Sequence, residues 1–300
     1  MHKDFTGEKP NTFYTWYLKD GEYIFTEYTS NNTIFGDTDS GGFSLEERVR
    51  GESVDDIICA ADTIGELTNK AFPDFCMHAF NCPEERKHTI QTNREVVSDK
   101  SLFLSKKRYI MHVVDSEGKR VDKLKIMGVE LKKSDTSKAI KKLLMDLVVA
   151  ILDGVAGDDL LSLVADMRAE FNTFQASDIA KPINVKTLKK CQDSYDITGS
   201  MKGFPYQVRA AMFWNELCGV SDKKIMPGEK VGLLYIKHPQ SKYIAFPIDM
   251  TVFPDWFHEL TVDYQTEWSK AHAKLENYLA SIGMDVVGRK NAIKEELFGF

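Results

Sequence analysis

The chain has 300 residues, of which 43% are hydrophobic and 28% are charged, and its net charge is −6. This length accommodates one large domain or two, and the balance is typical of an ordinary globular protein. The sequence contains no run of about 18 apolar residues and no charged-then-apolar leader, which excludes a membrane span and a secretion signal and predicts a cytoplasmic location. Five cysteines without a CxxC pair favour reduced thiols over a disulfide framework.

The segment 13–30 alternates aromatic and polar residues around the sequence KDGE at 19–22. An Asp-Gly pair between two apolar runs is a strong signal of a β-hairpin. The pattern therefore predicts strands over 12–18 and 23–29.

Residues 34–40, IFGDTDS, predict a buried strand that runs into a tight turn carrying two carboxylates. Side chains two apart on a strand point to the same face, so we expect Asp37 and Asp39 to lie side by side. Two like charges repel unless a cation lies between them, which favours a divalent metal with hard oxygen ligands. By composition alone, a polar hairpin turn is the preferred interpretation. The following Gly41 and Gly42 predict a distorted exit from this hairpin.

Apolar residues at steps of three and four predict a helix over 53–80. Strands are predicted near 94–97, 102–104 and 108–114, with a turn at 116–118. Four residues from position 76 onward have the ligand types of a zinc site, but their spacing fits no common zinc finger. Buried thiols and surface histidines are therefore the preferred interpretation of Cys76, His78, Cys82 and His88.

The charge is unevenly distributed along the chain. Residues 100–142 contain thirteen lysines and arginines and five aspartates and glutamates, so this segment carries +8 and the rest of the chain −14. A basic segment on an acidic body is what a groove that follows a phosphate backbone requires. A solvated helix face is the alternative interpretation, and it applies in part to Lys138, Lys141 and Lys142.

From Ser134 onward the periodicity is helical. An apolar stripe from Ile140 to Ile151 predicts a helix with Ser134 or Asp135 as N-cap and Gly154 just past its end. The remaining predicted elements are a helical stripe over 160–174, short strands near 230–236 and 243–247, and a long helix over about 263–281 that ends at Gly283.

Several short motifs follow one another in a fixed order. They are FGDTDS at 35–40, KKRY at 106–109, LKIMGVE at 124–130, SDTSK at 134–138, GFP at 203–205, GEKV at 228–231, AFP at 245–247 and DY at 263–264. The first resembles the palm-domain metal motif YGDTDS of family B DNA polymerases, and the second resembles that family's Lys-x-Tyr primer-template motif. The next two are similar to the palm-to-thumb crossing of replicative polymerases from T-even-type bacteriophages. This resemblance covers about residue 33 to the C-terminus.

The resemblance implies an α+β fold, in which a partial polymerase palm with an antiparallel sheet and helices is followed by a mainly helical thumb. It implies three segments: the C-terminal part of the palm at 33–131, the thumb at 132–285, and a clamp-binding tail at 286–300. Residues 1–32, where the sequence departs from the family, are predicted to form an N-terminal hairpin extension. Residues 1–32 have a second interpretation as the C-terminal piece of a split intein, with a junction at Asn32-Thr33.

The resemblance also implies roles for individual residues. Asp39 is expected to be the principal ligand of the catalytic Mg²⁺, with Asp37 supporting it. Glu95, which follows Arg94, is expected to supply a third carboxylate near the metals, although a lone glutamate on a strand is otherwise typical of a surface. The residues expected to contact primer-template DNA are Lys107, Tyr109, Lys125, Gly128 and Lys138.

The C-terminal sequence IKEELFGF at 293–300 resembles the peptides by which T-even-type polymerases hold their sliding clamp. Exposed large apolar side chains at a chain end are typical of a docking peptide. A tail folded back on the thumb is the alternative interpretation. The expected anchors are Ile293, Leu297, Phe298 and Phe300.

Three parts of the family have no counterpart in this sequence: the first metal motif DxxSLYP, the fingers motif KxxxNSxYG, and the proofreading exonuclease. We therefore expect the chain to be one subunit of a split DNA-directed DNA polymerase, completed in a heterodimer by an N-terminal subunit, and acting with dNTP, primer-template DNA and a sliding clamp in the host cytoplasm, without a membrane partner. A non-catalytic, clamp-tethered primer-template binding subunit is the alternative. An independent metal nuclease is disfavoured because no general base stands near Asp37 and Asp39.

Overall fold

Helices and small antiparallel sheets make up the chain, as the α+β prediction requires. The computed structural model describes residues 12–19, 22–29, 33–36, 40–45 and 52–284. The chain divides into two compact units, which we name the N-terminal unit (1–99 and 112–123) and the C-terminal unit (100–111 and 124–300). Among the helices of the described ranges, none combines the length and the apolar character that crossing a bilayer needs. The boundary between the predicted palm and the predicted thumb, at residues 131 and 132, stays a prediction.

Two hairpins begin the chain. Strands β1 (Thr12–Lys19) and β2 (Glu22–Thr29) pair antiparallel with Lys19 opposite Glu22, so the hairpin predicted from Asp-Gly is confirmed. Strands β3 (Thr33–Gly36) and β4 (Gly41–Phe43) also pair antiparallel, with Gly36 opposite Gly41. The register shifts between Thr33 and Phe35, opposite the predicted glycine pair. The irregularity agrees with the expected distortion.

The predicted helix over 53–80 is confirmed as α1 (Val54–Phe80). It begins with a capping box, in which the Ser53 hydroxyl accepts a hydrogen bond from the Asp56 amide and the Asp56 carboxylate accepts one from the Ser53 amide. It ends at Asn81, whose left-handed backbone (φ 48°) stops the helix, and a 3₁₀ turn at Glu84–Arg86 follows.

A polar stripe of α1 faces the rest of the N-terminal unit. Asp55, Asp62 and Asn69 are seven residues apart and therefore lie on one side of the helix. Asp55 pairs with Arg120, Asp62 pairs with Arg94, and Asn69 exchanges hydrogen bonds of 2.7 and 2.9 Å with the backbone of Thr92. These polar contacts fix the orientation of α1.

Three strands form a sheet in the order β5 (Val96–Ser105), β6 (Arg108–Ser116) and β7 (Lys119–Met127). Two-residue connections can join only antiparallel neighbours, so the sheet is a meander. The prediction of separate strands at 94–97 and 102–104 was wrong, because the polar residues between them continue the strand. Asp99 contacts His112 at 2.6 Å, and Lys100 contacts Asp153 at 3.1 Å.

The C-terminal unit holds the main hydrophobic core. Its largest fully buried side chains include the aromatic residues Phe171, Trp214, Phe246 and Tyr278. Strands β8 (Lys181–Asn184), β9 (Lys230–Tyr235) and β10 (Tyr243–Pro247) pair antiparallel in the order β10-β9-β8. After a 3₁₀ turn at Glu130–Lys132, the elements of this unit are α2 (Lys138–Leu152), α3 (Asp158–Phe171), α4 (Ala176–Ile179), β8 (Lys181–Asn184), α5 (Leu188–Thr198), α6 (Tyr206–Leu217), β9 (Lys230–Tyr235), β10 (Tyr243–Pro247), a 3₁₀ turn (Asp255–Glu259) and α7 (Tyr264–Ser281).

The N-cap of α2 differs from the prediction. Ser137, not Ser134 or Asp135, accepts the hydrogen bond from the Ile140 amide, at 3.4 Å. The two predicted caps are used elsewhere: the Ser134 carbonyl accepts from Lys230, and Asp135 lies 3.8 Å from Lys181. The sequence SDTS offers several residues of the capping type, and tertiary contacts select the last one.

Candidate nucleic-acid interface

A basic turn joins β5 to β6. Lys106 and Lys107 form the turn, both are exposed, and the Lys107 backbone has φ 61°. Tyr109 follows on β6, half-buried, with its ring centroid 5.6 Å from that of Phe103. Two exposed lysines are thus followed closely in the sequence by a half-buried tyrosine, and these residue types are suited to phosphate and sugar contact.

The end of β7 crosses directly against this turn. Gly128 has φ +65°, and a Cβ atom at this position would lie 2.2 Å from the Lys107 carbonyl oxygen and 3.2 Å from Arg108 Cγ. No side chain fits at the first of these distances, so the crossing requires glycine. The structure therefore brings the predicted residues Lys107 and Gly128 together. Packing within the chain therefore requires glycine at position 128, in addition to the predicted close approach of this residue to DNA.

Arg108 is committed to the fold. Its Nη2 donates to both carboxylate oxygens of Glu130, at 2.9 and 2.7 Å, and Lys133 Nζ lies 3.2 Å from the same carboxylate. Burial opposes the charge of Glu130, but its backbone amide, Lys133 and Arg108 outweigh burial and lower the pKa of this carboxyl. Burial raises the pKa of Tyr278, whose hydroxyl lies 3.5 Å from Glu130, and the charge of Glu130 adds to the rise. This network anchors the basic turn to α7.

The other predicted DNA contacts lie nearby in the sequence and at different places in the fold. Lys125 is half-buried on β7, three residues before Gly128. Lys138 is the first residue of α2, with 83% of its side chain exposed and its Nζ 3.7 Å from Asp178.

Sequence reasoning missed a lysine-lined groove in the C-terminal unit. The groove has a volume of about 430 Å³ and is bounded by Ser134 and Asp135, by β8 and by the start of α6. Lys230 donates to the Ser134 carbonyl at 3.1 Å, and a second groove of about 510 Å³, which Lys138 lines, shares this lysine. Of the lysines that line the first groove, the sequence motifs include only Lys230, which belongs to GEKV. The lysines of the first groove are Lys181, Lys186 and Lys230.

The predicted metal ligands Asp37 and Asp39 lie outside the described residues. The paired strands β3 and β4 are described as far as Gly36 and again from Gly41. Glu95 is exposed, and its backbone carbonyl accepts a 2.9 Å hydrogen bond from the Glu117 amide.

The arginine before Glu95 is engaged elsewhere. Arg94 pairs with Asp62 and Asp115, and the hydrogen bond to Asp62 is the main cause of its raised pKa. Within the described ranges, no three histidine, cysteine, aspartate or glutamate residues gather as a metal ligand set, and this includes the cysteines and histidines at 76–88. The predicted clamp anchors Ile293, Leu297, Phe298 and Phe300 lie outside the described residues.

No protein-family model matches the chain. It is similar to the DNA-directed DNA polymerase of Enterobacteria phage T4, with 25% identity over 94% of this chain and 34% of that protein. It is also similar to the DNA-directed DNA polymerase of Escherichia phage RB69, with 26% identity over 89% of this chain and 32% of that protein. The resemblance to T-even-type phage polymerases is thereby confirmed. The chain spans about a third of the length of the curated relatives it matches.

The similarity extends into the N-terminal hairpin. Because 94% of 300 residues is 282, the first alignment begins no later than about residue 20, which precedes the start near residue 33 expected from the motifs. At least part of the β1–β2 hairpin therefore aligns with polymerase sequence, which favours that origin over an intein remnant.

Proposed function

We propose that this chain, a relative of T-even-type phage DNA polymerases, is the C-terminal subunit of a family B DNA-directed DNA polymerase assembled from two polypeptides. It supplies the second aspartate motif of the palm, the primer-template grip and the tether to a sliding clamp. The N-terminal subunit supplies the fingers, the dNTP site, the rest of the palm and the exonuclease. The observation that carries this proposal is the close contact of the KKRY turn with Gly128, which joins two motifs of the resemblance at one place.

The basic turn is the proposed primer-template grip. The ammonium groups of Lys106 and Lys107 neutralise backbone phosphates, and Tyr109 packs against a sugar. Arg108 holds the turn through Glu130 and therefore contributes position more than charge. Lys125 and Lys138 extend the positive surface toward the palm sheet and toward α2.

Asp39 and Asp37 are the proposed ligands of Mg²⁺, with Glu95 as a nearby acid. Carboxylate oxygens are hard donors, so the chemistry of this donor set fits Mg²⁺. When bound in a pair, such ions activate the attacking hydroxyl and support the leaving group in nucleotidyl transfer. The other metal-binding aspartate in this proposal is supplied by the partner subunit.

The apolar side of α1 supports the need for a partner. Ile57 and Ile64 follow Asp55 and Asp62 by two residues, which is about 200° around the helix, so they lie opposite the polar stripe that contacts the N-terminal unit. We name Ile57, Ile64 and Leu67 the apolar stripe of α1. Ile64 is 39% exposed and Leu67 is 60% exposed. In this 27-residue helix, Cys76 alone is buried.

The buried side chains that the structure describes in the N-terminal unit also favour a partner. Among the described residues of the N-terminal unit, the buried apolar side chains are Cys76, Val97 and Val113. Each large apolar side chain left in water forgoes roughly 2 kcal/mol of burial. An exposed helix stripe of this kind is suited to folding against another polypeptide, whereas the C-terminal unit has a large core of its own.

Reconstitution of primer extension tests the function. The second component is a polypeptide that carries DxxSLYP and KxxxNSxYG, taken from the neighbouring reading frame of the same genome. The mixture should extend a primer, and Asp39→Ala should abolish extension while leaving association of the two chains intact. Asp193→Ala, which removes the same group from the exposed face of α5, is the matched control. Extension that survives Asp39→Ala contradicts the assignment.

The tail is the proposed clamp tether. Its anchors are Ile293, Leu297, Phe298 and Phe300, which fill an apolar pocket of the clamp. A chain ending at residue 292 should support distributive synthesis by the mixed subunits and should lose stimulation by the clamp. Product lengths on primed single-stranded DNA measure this difference, and stimulation that persists would assign the tether elsewhere.

A non-catalytic primer-template binding subunit is the second candidate. It is favoured by one observation, which is that the basic turn, the lysine grooves and the large core belong to the same C-terminal unit. Such a subunit binds duplex without help. If no neighbouring frame carries the complementary motifs and the chain still binds primer-template DNA through Lys107, this second function replaces the first.

A further inference from the structure

The four residues before β5 form no helix or strand, yet three of them are held in place. Asn69 of α1 exchanges hydrogen bonds of 2.7 and 2.9 Å with the Thr92 backbone and accepts a third, of 3.1 Å, from the Thr92 hydroxyl. Arg94 pairs with two acids, and the Glu95 carbonyl accepts a hydrogen bond of 2.9 Å from the Glu117 amide. An irregular segment with this many anchors has a defined course.

Arg94 joins two elements of the N-terminal unit. Its Nε and Nη2 contact the carboxylate of Asp62 on α1, and its Nη1 contacts the carboxylate of Asp115 on β6. The arginine side chain is 14% exposed and that of Asp115 is 4% exposed, so this second ion pair is buried. A guanidinium group carries its donors in a rigid plane, so two carboxylates on different elements fix its direction and the course of the backbone that bears it.

The turn between β6 and β7 closes the connection. It consists of Glu117 and Gly118, both with positive φ (53° and 82°), as a two-residue hairpin turn of type I′ requires. The Asp115 carboxylate accepts a hydrogen bond of 2.9 Å from the Gly118 amide, and the Glu117 amide donates to the Glu95 carbonyl. One buried carboxylate therefore holds both the arginine before Glu95 and the turn that supports the Glu95 backbone.

The side chain that this arrangement presents is the carboxylate of Glu95, which is exposed. A glutamate of the ordinary protein surface needs no support from a buried ion pair. Such a pair contributes little net stability, because loss of hydration offsets the attraction between its charges, and what it can supply is a single geometry. The buried pair of Arg94 and Asp115 is therefore better explained by the position that it gives to Glu95.

We propose that Arg94, held by Asp62 and Asp115, is a positioning residue for the Glu95 carboxylate. The inference rests on the proposed function, in which Glu95 is an acid near the Mg²⁺ ligands. A carboxylate that is already oriented need not be ordered when metal and substrate bind, and this lowers the barrier of the chemical step. The polar stripe of α1 thereby has a role in the reaction as well as in packing.

A double-mutant cycle in the two-chain mixture tests this role. Arg94→Gln should lower kcat for primer extension roughly 10- to 100-fold, the usual loss when a group that orients a metal-site residue is removed, and should leave KM for primer-template DNA unchanged. In a Glu95→Gln background the same substitution should lower kcat by no more than about 2-fold, because a residue that acts only through Glu95 has nothing left to position. A purely structural role would produce the same loss in both backgrounds.

Two further variants separate geometry from charge and from stability. Arg94→Lys keeps a positive charge beside Asp115, but one ammonium group cannot bridge two carboxylates in a fixed plane, so kcat should still fall roughly 10-fold. Asp55→Asn is the matched control, since Asp55 lies seven residues before Asp62 on the same stripe and pairs with Arg120; it should change kcat by less than about 2-fold. Thermal unfolding of each variant confirms folding, and Arg94→Lys carries the cycle if Arg94→Gln is unstable.

Amide exchange, measured by NMR on the chain without its partner, provides a test that needs no enzyme activity. The Glu117 amide should exchange roughly 2- to 10-fold faster in Arg94→Lys, a range set by the net strength of one hydrogen bond. In Asp55→Asn the Glu117 amide should exchange at an unchanged rate.

Three results overturn the proposal. They are an equal loss of kcat with and without the Glu95 carboxylate, an unchanged kcat in both Arg94 variants, and unchanged exchange of the Glu117 amide. If the unaltered mixture does not extend a primer, the proposed function and this role of Arg94 are both wrong. If the unaltered mixture does extend a primer and Arg94→Gln has no effect, the role of Arg94 alone is wrong.

Discussion

Gly128 is the residue at which backbone geometry and the candidate interface meet most closely. Its φ of +65° and the 2.2 Å gap to the Lys107 carbonyl impose two separate demands on this position. Gly199 has a similar φ of +61°, but a Cβ atom there would meet nothing within 4 Å. The two glycines therefore separate backbone strain from steric conflict.

Gly128→Ala should destabilise the chain more than Gly199→Ala does. A left-handed alanine costs about 1–2 kcal/mol, and the conflict with Lys107 adds roughly 1–3 kcal/mol at position 128 alone. Urea unfolding of both variants measures the difference in free energy. Equal losses in the two variants would mean that the crossing can move away without cost.

Lys107→Ala should weaken duplex binding whatever the DNA sequence. A lysine that neutralises one phosphate of B-DNA contributes about 0.9 to the salt slope, so the slope should fall by about that amount. Binding of a primer-template duplex at several salt concentrations gives the slope, and Lys190→Ala on α5 is the control. A salt slope that does not change in Lys107→Ala would mean that Lys107 does not contact a DNA phosphate.

At the scale of single residues, the sequence alone predicts which residue types form the site better than it predicts which contacts each residue makes. The KKRY motif indicates charge, but it does not reveal that Arg108 is held by Glu130 while Lys106 and Lys107 stay exposed. Lys181 and Lys230 come close to one groove because β8 and β9 are paired, and such long-range pairing leaves no local pattern. Asp37 and Asp39 were predicted from their motif alone.

At the scale of elements, α7 and β9 are joined by a buried acid. Glu267 is 5% exposed, and its carboxylate accepts the N–H of Tyr235 at the end of β9. Burial raises the pKa of Glu267, while the hydrogen bond from Tyr235 and the charge of Lys270 act against the rise. The helix α7 thus supplies a hydrogen-bond acceptor to the last backbone N–H of β9, but the Glu267 carboxylate that accepts it is poorly solvated.

Glu267→Gln should stabilise the chain at pH 8 or leave it unchanged. Because the folded pKa lies above the unfolded one, the contribution of Glu267 is fully present below the unfolded pKa and is lost as pH rises through the folded pKa. Glutamine keeps an acceptor for Tyr235 and does not titrate. The denaturation midpoint of Glu267→Gln relative to the unaltered chain should therefore rise between pH 4 and pH 8, whereas exposed Glu216→Gln should show no such trend.

Elements with a strong local pattern were predicted well, and those without one were missed. The Asp-Gly hairpin and α1 match their predicted bounds within one residue. The notable miss is α6, which buries Val208, Ala210, Ala211, Met212, Phe213 and Trp214. Between Val208 and Trp214 only Arg209 is exposed, so this stretch of sequence shows little of the period of 3.6 that identifies a surface helix.

At the scale of the whole molecule, the two units differ in the buried side chains that the structure describes in each. The C-terminal unit contains the aromatic cluster around Trp214, whereas α1 in the N-terminal unit buries Cys76 alone among its residues. Local stability follows buried apolar contact, so the units should open with different free energies.

Hydrogen exchange on the isolated chain should protect α2 strongly and α1 weakly. The buried residues of α2 include Leu143, Leu144 and Leu147, which exchange only when the core opens. Addition of the partner polypeptide should then raise protection across 54–80 and leave 138–152 unchanged. Strong protection of α1 without a partner would contradict an obligate heterodimer.

The opposite stripes of α1 also bear on how much of the proposed heterodimer a cell can assemble. A chain synthesised in excess of its proposed partner keeps Ile57, Ile64 and Leu67 available to any apolar surface, including the same stripe on another copy. Self-association and proteolysis of these unpaired chains then compete with formation of the proposed heterodimer. The ratio in which the two polypeptides are translated would set the yield of polymerase, and translation of adjacent frames from one messenger is the simplest way to hold that ratio constant.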